Sequence, residues 1–215
     1  MPIDLKSELT FINAYKFPIQ TDKSRQEILW GALLLLIPFI GWILNMGHRI
    51  EMVHKMQNGQ PSWPAWGDYN KILKNGAITF LGMLYYYTPS FGMYTLGWYF
   101  EDEVLKLLAV LLFLFATVFI PGYMTHYCKN FDVHEIFNPI RTLLRVFQGG
   151  ILYWKAWSIT LSALIISFSG LLLFGIGFLI TSVWFWQVAG YSFANVFTQK
   201  FHLDKDMSGL SGVKR

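Results

Sequence analysis

The chain has 215 residues, of which 54% are hydrophobic, 18% aromatic and only 14% charged; its mean hydropathy is +0.39 and its formal net charge +4. Soluble domains carry about a quarter of their residues as charges, so the composition argues against a soluble enzyme. So small a positive excess, with no soluble face that interleaves bases and aromatic rings, leaves nucleic acid outside the expected partners, and the single cysteine, Cys128, excludes an internal disulfide.

Residues 1–27 form a polar segment in which Lys6, Lys16, Lys23 and Arg25 alternate with Asp4, Glu8, Asp22 and Glu27. It has no uninterrupted apolar core, so a cleavable signal peptide is not expected and the first span serves as its own anchor. That span is residues 28–47. Within it, Ile37-Pro38-Phe39-Ile40-Gly41 offers two readings: Pro38 and Gly41 kink a continuous transmembrane helix, the favoured one, or they fold it into a re-entrant hairpin.

Directly after this span lies His48-x-x-Glu51-x-x-His54. On a helix, steps of three keep these side chains within a sector of about 120°, and Glu51-x-x-His54 matches one element of a di-iron bundle. A second copy is lacking, although His126 and His134 could add nitrogen ligands for zinc. The plainer reading is a wet helix end beside the membrane, with no metal and no cofactor. Arg49, in the same stretch, is expected at the interface. Trp63-Pro64-Ala65-Trp66-Gly67-Asp68-Tyr69 follows. It reads as an interfacial clamp, with Trp63 and Trp66 at headgroup depth and Asp68 capping a helix that begins near Tyr69; a partner-recognition surface is the alternative.

A second span is expected over 76–99 and a third over 107–126, joined by the acidic turn Glu101-Asp102-Glu103. Pro89 in the second, and Pro121-Gly122 near the end of the third, are expected as helix breaks: kinks without transport are the favoured reading, and the discontinuous helices of a substrate path are the alternative. From Val133 to Phe147, apolar residues recur at helical spacing with Arg141 and Arg145 on another face, a pattern suited to a helix in the headgroup region that Pro139 kinks or divides. Gly149-Gly150 then opens the next span.

Residues 156–199, 44 in all, contain no Asp, Glu, Lys, Arg or His. As one helix this run would be about 66 Å long, twice the ~30 Å hydrocarbon core of a bilayer. It therefore reads as a helical hairpin of spans 154–173 and 178–197, turning at Gly175 and Gly177; Ser167-Phe168-Ser169-Gly170 is the competing turn. Trp184-Phe185-Trp186 in its second arm is read as packing rather than as a stacking site for lipid or pigment. Residues 200–215 are expected to form a flexible C-terminal tail. Residues 28–199 thus make a single membrane domain.

A weak repeat marks the helix exits: Gly47-His48-Arg49-Ile50, Gly122-Tyr123-Met124-Thr125-His126-Tyr127 and Gly190-Tyr191-Ser192-Phe193. The Ile-Pro-Phe-Ile-Gly span, the Gly-His-Arg exit, the turn Asn58-Gly59-Gln60-Pro61, the Pro64–Tyr69 stretch, Gly76 and the Phe131-Asp132-x-x-Glu135-Ile136 segment resemble the prokaryotic membrane family catalogued as domain of unknown function four-zero-one-three. The resemblance runs over roughly residues 17–197. It implies a fold and a prokaryotic inner (plasma) or internal membrane location, and no activity or catalytic residue.

The expectation is therefore an all-α, polytopic membrane protein of about five transmembrane helices with short interfacial amphipathic helices. Bases cluster after the first and third spans and in the tail, which by the positive-inside rule puts those segments and the C-terminus in the cytoplasm. Five spans then place the N-terminus outside, against the bases of residues 6–25. The basic faces suit anionic headgroups. With no nucleophile–base pair and no phosphate loop, the function expected is a non-enzymatic accessory, scaffold or assembly component with a membrane-protein partner. A small-solute or lipid transporter, and a metal site or enzyme at the cytoplasmic interface, are the alternatives.

Overall fold

The computed structural model describes residues 3–173 and 175–204. All regular structure among them is helical: α1 (Phe11–Lys16), α2 (Asp22–Leu34), α3 (Ile40–Gln57), α4 (Tyr69–Tyr99), α5 (Glu103–Asn130), α6 (Pro139–Phe168) and α7 (Ile176–Phe201), with short 3-10 turns at Phe17–Ile19, Val133–Glu135 and Ser169–Leu172. Local chemistry sets the starts. Thr21 and Ser24 form a reciprocal capping box on α2, and the side chains of Asp68, Asp102 and Asn138 accept from the first-turn amides of α4, α5 and α6. Pro139 is the first residue of α6, where its missing N–H costs nothing; it starts the helix instead of kinking it.

Three antiparallel hairpins, α2–α3, α4–α5 and α6–α7, make up the bundle. The first corrects the expectation of one span at 28–47. That segment is two helices joined at Leu35–Phe39, where Ile40 N–H bonds the Pro38 carbonyl across a tight γ-turn with Phe39 at φ +62°. At 13 residues, α2 is about 20 Å long, short of the ~30 Å hydrocarbon core. The hairpin closes tightly at its tip, because a Cβ on Gly41 would sit 1.9 Å from the Leu34 carbonyl oxygen, and the Asn45 side chain donates to the Gly31 carbonyl at 3.1 Å.

Pro89 and Pro121 do not break their helices. Each lies inside a continuous one, α4 and α5 respectively, as neighbouring Thr hydroxyls and packed helices allow in apolar surroundings. Gly122 instead lets α6 approach, with Thr142 and Val146 just over 3 Å from where its Cβ would be. The real break is at Gly150 (φ +58°, ψ −145°), which separates the amphipathic start of α6 from its apolar continuation. In the long uncharged run, α6 ends at Phe168, a 3-10 turn follows to Leu172, and Gly175 (φ +77°) precedes α7. Phe174 and residues 205–215 of the tail lie outside the described residues. Gly177 packs against Gly170 across this turn.

The N-terminal polar segment packs on the bundle. Leu5, Leu9, Ala14 and Phe17 are buried, and Asn195 and Gln199 of α7 donate to the Leu5 carbonyl at 3.1 and 2.9 Å. This segment therefore lies at the Lys200 end of α7.

Three helices are long and apolar enough to cross a membrane: α5, α6 with its 3-10 extension, and α7. Their outer faces carry exposed Leu107, Leu114, Phe115, Ile165 and Ile176, side chains that water would not tolerate in such number. The architecture is compatible with a membrane-embedded protein.

Candidate ligand cavity

Two neighbouring residues of α3 organise the polar interior. His48 Nε2 lies 2.6 Å from Glu27 on α2, and Glu27 also accepts the Ala65 N–H at 3.0 Å and, through its backbone carbonyl, the Trp66 indole N–H at 3.2 Å. His48 stacks on Trp66 at 4.1 Å between ring centroids and faces Trp63 at 5.9 Å. Trp63 is buried against Phe17, so it is a core residue rather than a headgroup anchor. The Trp63–Tyr69 stretch thus clamps the base of the α2–α3 hairpin. Asp68 caps α4, its side chain accepting from Lys71 N–H at 3.1 Å. Tyr69 receives a 2.7 Å hydrogen bond from Trp30.

The five residues considered for a metal do not converge. Glu51 pairs with Lys71 at 2.9 Å, His54 meets the Cys128 carbonyl at 2.7 Å, His126 meets the Gly122 carbonyl at 3.2 Å, and His134 is exposed on the turn after α5. Among the described residues no group of three His, Cys, Asp or Glu could hold a metal ion. The bases of the second basic segment are also committed internally: Arg141 and Arg145 both bind Glu135, at 3.1 and 2.5 Å, and Arg145 is nearly buried. Burial alone would raise the Glu135 pKa, but the Arg145 guanidinium, then His126 and Arg141, outweigh it and hold the carboxyl below its ordinary value.

Arg49 differs from all of these. The sequence places it at the interface; in the structure it is 8% exposed and lines a cavity of about 330 Å³ bordered by α3, α4, α5, α6 and α7. Gly190 makes room for its stem, since a Cβ there would come within 2.8 Å of Arg49 Cγ. Its guanidinium donates to Met124 Sδ at 3.8 Å and lies 4.8 Å from the Trp186 ring centroid. No carboxylate among the described residues lies within ion-pair distance of it.

The magnitudes do not balance. A desolvated cation–π contact contributes about 2 kcal/mol, whereas removing an ion from water costs several kcal/mol even after relaxation. Around Arg49 the cavity wall is overwhelmingly apolar: Ile50, Ile120, Leu164, Phe185 and Phe193, with Trp157 and Trp186. The Thr160 hydroxyl, 5% exposed, also borders the cavity and has no hydrogen-bond partner. The volume lies at the lower end of the range for ligand pockets and corresponds to about eleven waters' share of liquid. Trp186 is 46% exposed, so the wall it forms is not sealed from the surroundings.

The sequence pattern missed Glu27, which reads as one more surface acid, and the burial of Arg49. A hint for each existed: Glu27 is the last charge before an apolar run, and Arg49 follows Gly47-His48 at a helix exit that recurs elsewhere. Phe185 and Trp186, read as packing, line the cavity, while Trp184 turns away and donates its indole N–H to the Tyr15 carbonyl. Comparison with protein-family models, with curated proteins and with solved structures finds no significant match.

Proposed function

We propose that the protein is a multi-pass membrane protein that binds a lipid-like ligand in the cavity between its hairpins, as a non-catalytic accessory component of a membrane system. The observation that carries this reading is the apolar cavity itself, bordered by five helices and unfilled by any side chain of the bundle. Apolar pockets of this size between the helices of a bundle, with an open side and a few polar groups, are the usual form of a ligand site. This favours lipid handling over a scaffold role alone.

The proposed topology has α4, α5, α6 and α7 crossing the bilayer and α2–α3 re-entering from the cytoplasmic side. Four crossings put both termini in the cytoplasm, which removes the conflict raised by five. Lys6, Lys16, Lys23 and Arg25 then join the other basic segments on one side, with Glu101-Asp102-Glu103 opposite, as the positive-inside rule requires. Docking of the N-terminal segment on the Lys200 end of α7 supports this arrangement. Membership of the family named above belongs to the same proposal. It is supported by how its motif residues pack as a unit, Gly47 on Gly76 and His48 on Trp66.

Photo-crosslinking tests the reading. A diazirine-bearing long-chain alcohol, added to the purified protein in nanodiscs, is expected to label Ile120, Leu164 and Phe185 saturably, with unlabelled alcohol competing. Labelling confined to lipid-facing positions such as Leu107, Leu114 and Ile165, without saturation, would refute it.

A further inference from the structure

We infer that the cavity's ligand carries an anionic head, a carboxylate or a phosphate monoester, and that Arg49 is the group that recognises it. The inference rests on the cavity reading above and adds the chemistry of the occupant.

Arg49 is a fixed positive charge at more than nine-tenths burial, and its contacts in the protein are a thioether sulfur and an indole face. Neither neutralises a guanidinium. The nearest acids on the same helix and its neighbour are already used: Glu51 by Lys71, and Glu27 by His48 and the Ala65 amide. Buried charges in proteins are paired, and a charge inside a membrane bundle that lacks an internal partner marks a ligand path or counter-ion site. Guanidinium geometry favours planar oxyanions, which it binds through two parallel N–H donors. Thr160, with its unpartnered hydroxyl on the same cavity, supplies a further polar group.

The rest of the wall dictates the rest of the ligand. Apart from Arg49, Thr160, the buried Cys128 thiol and the hydroxyls of Tyr87, Thr117 and Thr125, which are hydrogen-bonded within the bundle, the lining is aliphatic, aromatic or thioether, so a free inorganic anion would leave it empty and a neutral hydrocarbon would leave Arg49 unpaired. A single-chain amphiphilic anion satisfies both. A cavity of about 330 Å³, at the small end for ligand pockets, suits a single alkyl chain better than the two chains of a phospholipid.

Three probes of equal chain length separate the possibilities: dodecanoate, dodecyl phosphate and dodecanol, titrated into the full chain in zwitterionic nanodiscs with tryptophan fluorescence as readout. At least one anion is expected to bind ten-fold or more tightly than dodecanol. Their order tells a carboxylate from a phosphate ligand. Arg49→Met is expected to abolish that preference while dodecanol still binds; Arg49→Lys, which keeps the charge and loses the fork, retains part of it. Equal binding of all three probes to the native protein, or an anion preference that survives in Arg49→Met, overturns the inference and leaves the apolar cavity standing. Failure of all three to bind overturns the cavity reading itself. If Arg49→Met does not fold, the native ranking and Arg49→Lys still decide the matter.

Discussion

Gly47 of α3 and Gly76 of α4 face each other so closely that a Cβ on Gly47 would lie 1.9 Å from the Ile72 carbonyl oxygen, and one on Gly76 2.0 Å from that of Ile43. The two backbones are in contact, and the α2–α3 hairpin is held against α4 at this crossing. Gly47→Ala or Gly76→Ala must push the helices apart, at a cost of about 3 kcal/mol or more. Gly92, also in α4, has nothing within 4 Å of its Cβ position. Gly92→Ala is therefore expected to leave stability unchanged or raise it by up to about 1 kcal/mol. Thermal unfolding of the three variants in detergent checks both statements; equal melting temperatures would contradict the close crossing.

Glu27 holds three elements at once, through His48, the Ala65 amide and the Trp66 indole. Glu27→Ala orphans a buried imidazole nitrogen and a buried amide, each costing about 1–3 kcal/mol. A destabilisation of roughly 3 kcal/mol is expected, with a change in Trp66 emission because its stacking on His48 loosens. A variant as stable as the native protein would show that the clamp is held by apolar packing alone.

Glu135 supplies the pH dependence. Its carboxyl, 17% exposed, is held below the ordinary value of 4.5 by Arg145 and Arg141, which outweigh its burial. A lowered folded-state pKa stabilises the fold above the unfolded value and loses that contribution as pH falls through the folded one. The native protein should therefore melt higher than Glu135→Gln at pH 7, with the gap constant above about pH 5 and closing below 4.5. A gap that widens on acidification would reverse the sign and refute the assignment.

The topology is testable by cysteine labelling, because the native Cys128 is buried and gives little background. With a membrane-impermeant maleimide, Lys23→Cys and Lys74→Cys are expected to react from the same side and Glu103→Cys from the other; all three positions are exposed. Reaction of Lys23→Cys from the Glu103 side would restore a fully crossing first segment.

Much of the local structure was legible in the chain. Asp68 before a helical run and the acidic turn at Glu101–Glu103 are short-range signals, and both appear as helix punctuation. Other local signals misled. Pro89 and Pro121 read as breaks, yet both helices run through them, since a proline removes one hydrogen bond and neighbouring helices support the rest. Pro38 was ambiguous because the same Pro-Phe-Ile-Gly letters suit a kink or a turn. The Gly41 contact with Leu34, seven residues back, decides for the turn.

By itself, then, the sequence determined the helical class, the cap at Asp68 and a pair of helices in the uncharged run, because hydropathy, charge and capping act over a few residues. How residues 28–47 fold back on themselves, and which Arg lacks a partner, was decided only by tertiary structure. Glu27 pairs with His48 across 21 positions, and Arg49 meets Met124 across 75. Whether a charge is neutralised depends on what the fold brings within about 4 Å of it, and no periodicity along the chain encodes that distance.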